Sequence, residues 1–335
     1  MKNLKTRLVT IALSLFVGLT ISGCEDQDEF EPGKPGLLVP RTVDQDPSLP
    51  QLSINGTKLH LETYGNQDDP IIVVLHGGPG GDYRSMLKCK AFAGNGYFVV
   101  FYDQRGSGLS QRHPKKLYSL DIMIEDLSAI IHHFRKSPDQ KLLLLGHSWG
   151  AMLATAYINQ HPSEISGAIL SEPGGLTWNV TKDYMSRTRE LEYFSEVVND
   201  AVYYDQILTV KHDEHEILDY KFALTTVVEH ASGNPLGNAG PYPNWRSGAV
   251  VQVALLEIAE EEGLDFTTNL SQFTTPVVFM FSELNRAYGP AHAQLVSSAY
   301  PNAQLKLIKG TGHEILWFGW EHYYPTVLEY LSELN

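Results

Sequence analysis

Lys141 to Gly150 reads K-L-L-L-L-G-H-S-W-G. The four leucines predict a buried strand, and the Ala-rich stretch Ala151 to Asn159 behind it predicts a helix. Between them stands Gly146-His147-Ser148-Trp149-Gly150, the G-x-S-x-G form of a strand-to-helix turn that presents a serine. Such a turn strains the central residue and leaves no room for side chains beside it, which is why glycines flank the serine. Ser148 is therefore the candidate nucleophile.

A carbonyl attacked by a hydroxyl becomes an oxyanion, which preorganised N–H donors must meet. Ile71 to Leu75 is a continuous apolar strand that runs into His76-Gly77-Gly78-Pro79-Gly80-Gly81, where missing side chains let backbone amides approach a ligand. The Gly78 and Trp149 amides are the expected donors. The general base is expected last in the chain, after the final strand. His313, in Lys309-Gly310-Thr311-Gly312-His313-Glu314 between the strand Leu305 to Ile308 and a closing helix from about Trp320 to Leu334, fits that order. Other histidines have plainer readings: His132 and His133 lie on an amphipathic helix, and His147 fills the variable position of the turn.

Three motifs in this order, His76-Gly77-Gly78-Pro79-Gly80, Asp103-Gln104-Arg105-Gly106-Ser107-Gly108 and Gly146-His147-Ser148-Trp149-Gly150, resemble the α/β-hydrolase family that contains the proline iminopeptidases. The resemblance covers about Pro50 to Leu170 and again about Pro276 to the C-terminus. It implies an enzyme that releases an N-terminal proline or another small residue from short peptides, with no cofactor. Carboxylic ester hydrolysis by the same site is the enzymatic alternative, because ester and amide attack need the same parts. A surface binding protein on a decayed hydrolase is the non-enzymatic one.

The third member of the site departs from the family pattern. The family usually places an aspartate beyond the seventh strand, yet Ser282-Glu283-Leu284-Asn285 puts Asn285 there. A neutral amide does not stabilise the imidazolium, and the Asp-to-Asn change in the well-known serine protease triad lowers turnover about 10⁴-fold. Glu172, directly after the sixth strand in Ser171-Glu172-Pro173-Gly174-Gly175, is the first candidate for the acid; pancreatic-type lipases are similar in carrying theirs after that strand. Glu283 is the second, and Asn285 or no acid the third. Glu172 has a rival role, pairing with a substrate's free amine.

The ends of the chain carry a different message. Met1 to Gly23 has a basic start (Lys2, Lys5, Arg7), an apolar stretch from Leu8 to Ile21, and Ile21-Ser22-Gly23 before Cys24. This reads as a secretory signal, and the small residues resemble a bacterial lipobox that would leave Cys24 lipid-modified. The expected location is the bacterial cell envelope, periplasmic or surface-exposed, with the membrane touched only through that lipid. Residues 24–40 read as a flexible acidic tether. Cys89 is the other cysteine of the two, so the lipid-modified chain would hold no internal disulfide. Lys and Arg number 25 against 39 Asp and Glu, a net charge of −14, which argues against nucleic acid as a partner and suits a small peptide or ester substrate. Nothing in the sequence bears on oligomeric state.

Strand-like runs alternate with helical segments along the rest of the chain, which predicts an α/β-hydrolase fold: an eight-stranded, mostly parallel sheet covered on both faces. Asn55-Gly56 predicts a hairpin, and Ser119 or Asp121 a helix cap. The expected core is 41–172 and 271–335, and residues 173–270 read as a helical cap inserted after strand 6. Trp178, Tyr242 and Trp245 are candidates for its apolar lining, and Glu229 and Glu257 lie in plausible helices for amine-binding carboxylates. His212-Asp213-Glu214-His215-Glu216 and Glu260-Glu261-Glu262 read as solvated faces, with no metal expected.

Overall fold

The computed structural model describes residues 39–188, 213–229 and 234–334, the last six of 213–229 by backbone alone. The expected signal, Cys24, most of the tether and His212 lie outside the described residues, as does the Glu229 side chain. Eight strands form one sheet: β1 (Gln51–Ile54), β2 (Thr57–Tyr64), β3 (Ile71–Leu75), β4 (Phe98–Tyr102), β5 (Leu142–His147), β6 (Gly167–Ser171), β7 (Val277–Ser282) and β8 (Ala303–Ile308). Their spatial order is β1-β2-β4-β3-β5-β6-β7-β8. The pairs β1·β2 and β2·β4 are antiparallel and the rest parallel.

Alternate residues of the central strands feed two cores. Ile71, Val73, Leu75, Leu142 and Leu144 pack on one face of the sheet, while Ile72, Val74, Leu143 and Leu145 pack on the other. All nine are essentially buried, each burial stabilising by about 1.5–3 kcal/mol. That explains the unbroken apolar runs: both faces are covered, so no position is left for a polar residue. Leu142, Leu144, Ile130 and Leu127 share a cluster because helix α1 (Leu120–Phe134) lies on that face. Ser119 caps it, its hydroxyl accepting from Ile122 N at 3.1 Å; Asp121 sits in the first turn instead. Asn55 and Gly56 both adopt positive φ, 44° and 71°, as a two-residue hairpin turn requires.

The strand order places the site. From β3 the chain moves outward to β4, then returns past β3 to β5, so the loops leaving β3 and β5 diverge around a crevice at their carboxyl ends. Open parallel sheets bind ligands at such a switch point. Helix α2 (Trp149–Gln160) begins at this crevice. Between β6 and β7 lie the α-helices α3 (Trp178–Thr188), α4 (Glu214–Glu229) and α5 (Ala249–Glu262); α6 (Gly289–Ser297), α7 (Ile315–Phe318) and α8 (Trp320–Glu333) complete the described α-helices.

Candidate active site

The turn at Ser148 is as tight as its glycines demand. A Cβ on Gly146 would lie 2.5 Å from Gly150 O, and one on Gly150 would collide with the Leu75 carbonyl. Ser148 itself has φ 54° and ψ −119°, a backbone state that costs of order 1–3 kcal/mol for a residue with a side chain. Its hydroxyl makes no cap bond to helix α2. It stands instead at the positive end of that helix, in a cavity of about 190 Å³ whose lining includes Gly77, Gly78, His147, Trp149, Tyr184, His313 and Glu314.

The remaining motifs hold this turn against the loop after β3. Gln104 donates its side-chain amide to His76 O at 3.0 Å, its backbone N–H donates to His76 Nε2 at 2.9 Å, and its side-chain oxygen accepts from Trp149 Nε1 at 2.8 Å. Asp103 accepts from the Tyr83 and Leu109 amides and from His60 Nδ1. Arg105 grips buried Asp126 through Nε at 2.7 Å and Nη2 at 2.9 Å. The Asp103 to Gly108 motif is thus a brace, and its chemistry is spent on the protein itself. Among the described residues neither the Gly78 nor the Trp149 backbone N–H has a hydrogen-bond partner, and both residues line the cavity.

Glu172 lies at the end of β6 with φ 46° and is fully buried. Its Oε2 accepts from His313 Nδ1 at 2.7 Å and from Asn285 Nδ2 at 2.8 Å; its Oε1 accepts from Ser282 N at 2.7 Å and Ser282 Oγ at 2.6 Å. Asn285 therefore contacts the carboxylate, not the imidazole, and its own oxygen accepts from the Ala287 and Tyr288 amides at 3.1 and 3.2 Å. Glu283 points elsewhere and accepts from Gly310 N at 2.9 Å. With a carboxylate against Nδ1, that nitrogen carries the proton and Nε2 keeps its lone pair. Burial pushes the His313 pKa down, but the hydrogen bond and charge of Glu172 outweigh it, and the net direction is up.

Two neighbours have roles that the sequence did not show, His147 having been read only as the variable residue of the turn. His147 Nε2 donates to His313 O at 2.8 Å, so the variable residue of the turn helps seat the histidine loop. Burial, helped by the nearby His313 charge, pushes its pKa down to about 3, keeping it neutral. Glu314, only 6% exposed, is held by its backbone N–H donating to Asn238 Oδ1 at 2.8 Å. Burial raises its carboxyl to about 7, His313 opposing and Glu172 adding to the shift. One ligand-type atom from each of His147, His313 and Glu314 falls within 4.8 Å of the others; these three are the described residues able to share a metal ion. The position of Glu314 beside the base was the only available signal, and it carries no periodicity or spacing rule.

The segment between β6 and β7 roofs the cavity in part. Trp178, Tyr184, Phe222, Leu236, Tyr242 and Leu255 line it. Trp245 does not: it packs edge-on against Tyr83, centroids 4.8 Å apart, beside His60, because Asp82 draws its backbone inward through bonds from Trp245 N at 2.5 Å and Arg246 N at 3.1 Å. Glu257 is also outside, exposed and paired with Lys115. Loop and base are coupled, since His313 N donates to Leu236 O at 2.8 Å and a Cβ on Gly312 would collide with Gly237.

A family profile described as the alpha/beta hydrolase fold matches residues 70–319. The chain belongs to that family. It is 24% identical over 276 residues to proline iminopeptidase PfmaB of Pestalotiopsis fici, covering 79% of this chain and 92% of the relative. It is 23% identical over 278 residues to a proline iminopeptidase of Thermoplasma volcanium, covering 78% and 88%. Among solved structures, the proline iminopeptidase of Mycobacterium smegmatis superposes with a TM-score of 0.56 at 17% identity, over 85% of this chain and 97% of that one. That likeness is one of fold. The protein is an α/β-hydrolase similar to proline iminopeptidases.

Proposed function

We propose that this hydrolase is a serine aminopeptidase that releases an N-terminal proline or small residue from short peptides. Ser148 Oγ attacks the carbonyl of the first residue while His313 Nε2 takes its proton. Glu172 holds the imidazole in the required tautomer and stabilises its cation. The Gly78 and Trp149 amides receive the oxyanion. His313 then protonates the leaving amine, and water releases the aminoacyl group by the same steps in reverse order. The observation that carries this reading is the 2.7 Å contact of Glu172 with His313 in a pocket shared with the strained Ser148. The substrate class rests on the relatives, whose printed names are those of proline iminopeptidases.

A fluorophosphonate probe tests the chemistry: a single adduct on Ser148 is expected, and an unlabelled wild-type protein would overturn it in favour of a binding role. Prolyl and alanyl p-nitroanilides against p-nitrophenyl esters test the substrate. Ester turnover without any anilide turnover would make the protein an ester hydrolase. From the sequence before Cys24 the enzyme is further proposed to be a lipid-anchored envelope protein; radiolabelled palmitate incorporation that persists in Cys24→Ser would refute the anchor.

A further inference from the structure

A second cavity, of about 300 Å³, adjoins the catalytic one, and no step above uses it. Helix α4 lines it with His215, Leu218 and Phe222, and helix α5 with Ala249, Gln252 and Val253; spacings of three and four put each set on one face of its helix. Phe222 and Gln252 line the catalytic cavity as well, so these two residues stand where the cavities meet. Lys115 and Glu214, which also line the second cavity, are exposed and mark where it meets water.

The walls say what kind of molecule belongs there. Leu218, Phe222, Val250 and Val253 make them largely apolar, yet two polar groups among them lack a partner. Gln252 is 5% exposed, and among the described residues its side-chain amide makes no hydrogen bond. His215 Nδ1 is buried and likewise unpaired. Buried polar groups are normally satisfied. A bare alkyl chain would leave both as they are, whereas a peptide brings an apolar side chain together with a main-chain N–H and C=O. Gln252 is also well placed: Gly248 N, one turn earlier, donates to Gly80 O at 2.6 Å, and a Cβ on Gly80 would stand 3.5 Å from Gln252 Cβ. The amide is thereby held beside the loop that carries the Gly78 donor.

We propose that the second cavity is the subsite for the second residue of the peptide, selecting an apolar side chain there while Gln252 pairs with the main chain. This rests on the aminopeptidase reading of the first cavity. With a proline or small residue held in the catalytic cavity of about 190 Å³, the next Cα lies about 3.8 Å further along the chain, and the junction at Phe222 and Gln252 leads its side chain toward Leu218, Val250 and Val253. Longer peptides continue past Lys115 and Glu214 into water. A substrate without the second residue forgoes the apolar contact and leaves the Gln252 amide unpaired, which is how such a site discriminates.

The test measures amino acid release from L-alanyl-L-leucinamide, L-alanyl-glycinamide, L-alaninamide and L-leucinamide, the last two without a second residue. In wild type, kcat/KM for the alanyl-leucine peptide is expected to exceed that for the alanyl-glycine peptide by about tenfold or more, as burial of one aliphatic side chain implies. Val253→Trp, which fills the second cavity from a position that does not line the first, is expected to erase that preference, and Val253→Ala to move it from leucine toward phenylalanine in second position. Gln252→Leu is expected to lower kcat/KM for both peptides about tenfold more than for alaninamide, through KM; equal losses on all three would reject its part. A wild type blind to the second residue, or a preference unchanged in both Val253 variants, would overturn the proposal. So would a Val253→Trp loss confined to L-leucinamide, which would put the first residue in this cavity. If wild type releases no amino acid while the fluorophosphonate still labels Ser148, the aminopeptidase reading fails by itself. The cavity is then read by protection of Ser148 from labelling. Stronger protection by the alanyl-leucine peptide than by the alanyl-glycine peptide, lost in Val253→Trp, supports the subsite, and equal protection by both peptides rejects it.

Discussion

The floor and the roof of the cavity are built by opposite means. On the floor, the carboxyl ends of β3, β5, β6 and β7 deliver Gly78, Ser148, Glu172 and Ser282 from one continuous sheet, and the Glu172 oxygens are met by backbone or short side-chain donors. In the roof, helices α3 and α5 meet water on one side, with exposed pairs such as Lys182–Glu260 at 2.6 Å, and the segment is tied to the core by separate bonds such as Trp245 N and Arg246 N to Asp82 and His313 N to Leu236 O. Within the roof, Asp219 of α4 accepts from Arg246 Nε at 2.8 Å and Ala249 N at 2.9 Å, and it also accepts from Arg112 Nε of the core at 3.1 Å. A sheet fixes position through many small shared bonds. The roof is instead tied on bond by bond, from loops and single side chains.

The floor should fail by orders of magnitude. Ser148→Ala is expected to lower kcat by about 10⁶-fold, as loss of a triad nucleophile does, measured with the best substrate of the panel. Glu172→Gln should cost about 10⁴-fold and should also move the pH profile. His313 must be neutral to act as base, so the rate falls as pH drops through its pKa. Glu172 raises that pKa, and its removal should shift the acidic limb to lower pH. An unmoved limb would mean that another group titrates.

The roof should fail in stability first. Asp219→Ala leaves the Arg112 and Arg246 guanidinium groups buried without their shared carboxylate, a loss of about 3–5 kcal/mol, visible as a lower midpoint in urea. A midpoint within error of wild type would show that the roof is held by other contacts. Asn285→Ala, between the two regions, removes one donor to Glu172 worth about 1.5 kcal/mol, roughly tenfold in rate. Asn285→Asp should be worse than Asn285→Ala, since it sets a second carboxylate beside the first and forces one of them to hold a proton. The smallest effect belongs to the exposed pair Lys115–Glu257, where Glu257→Gln should change stability by less than about 1 kcal/mol.

Much of the floor was legible because its constraints are local in the chain. Four consecutive leucines need a doubly covered strand, and Gly146 and Gly150 are needed where a Cβ would meet backbone. Strand ends differed by one or two residues from the apolar runs: β5 extends to His147 and β8 begins at Ala303, since backbone pairing continues past the last apolar side chain. The roof was legible only as helical, because aromatic residues pack inward or line a pocket with the same pattern. Trp178 and Tyr242 line it and Trp245 does not.

By itself the sequence determined the strand-to-helix turn, the glycines that make it possible, the order of the motifs and so the family, because each depends on neighbours within a few residues. Only the tertiary structure decided that Asn285 serves Glu172 and leaves His313 alone, that His147 steadies the histidine loop, and that Glu314 faces the cavity. Those relations join residues more than a hundred positions apart, except for Glu314, whose direction is set by the loop that carries it. Which oxygen meets which donor is a property of strands lying side by side, and no spacing along the chain encodes it.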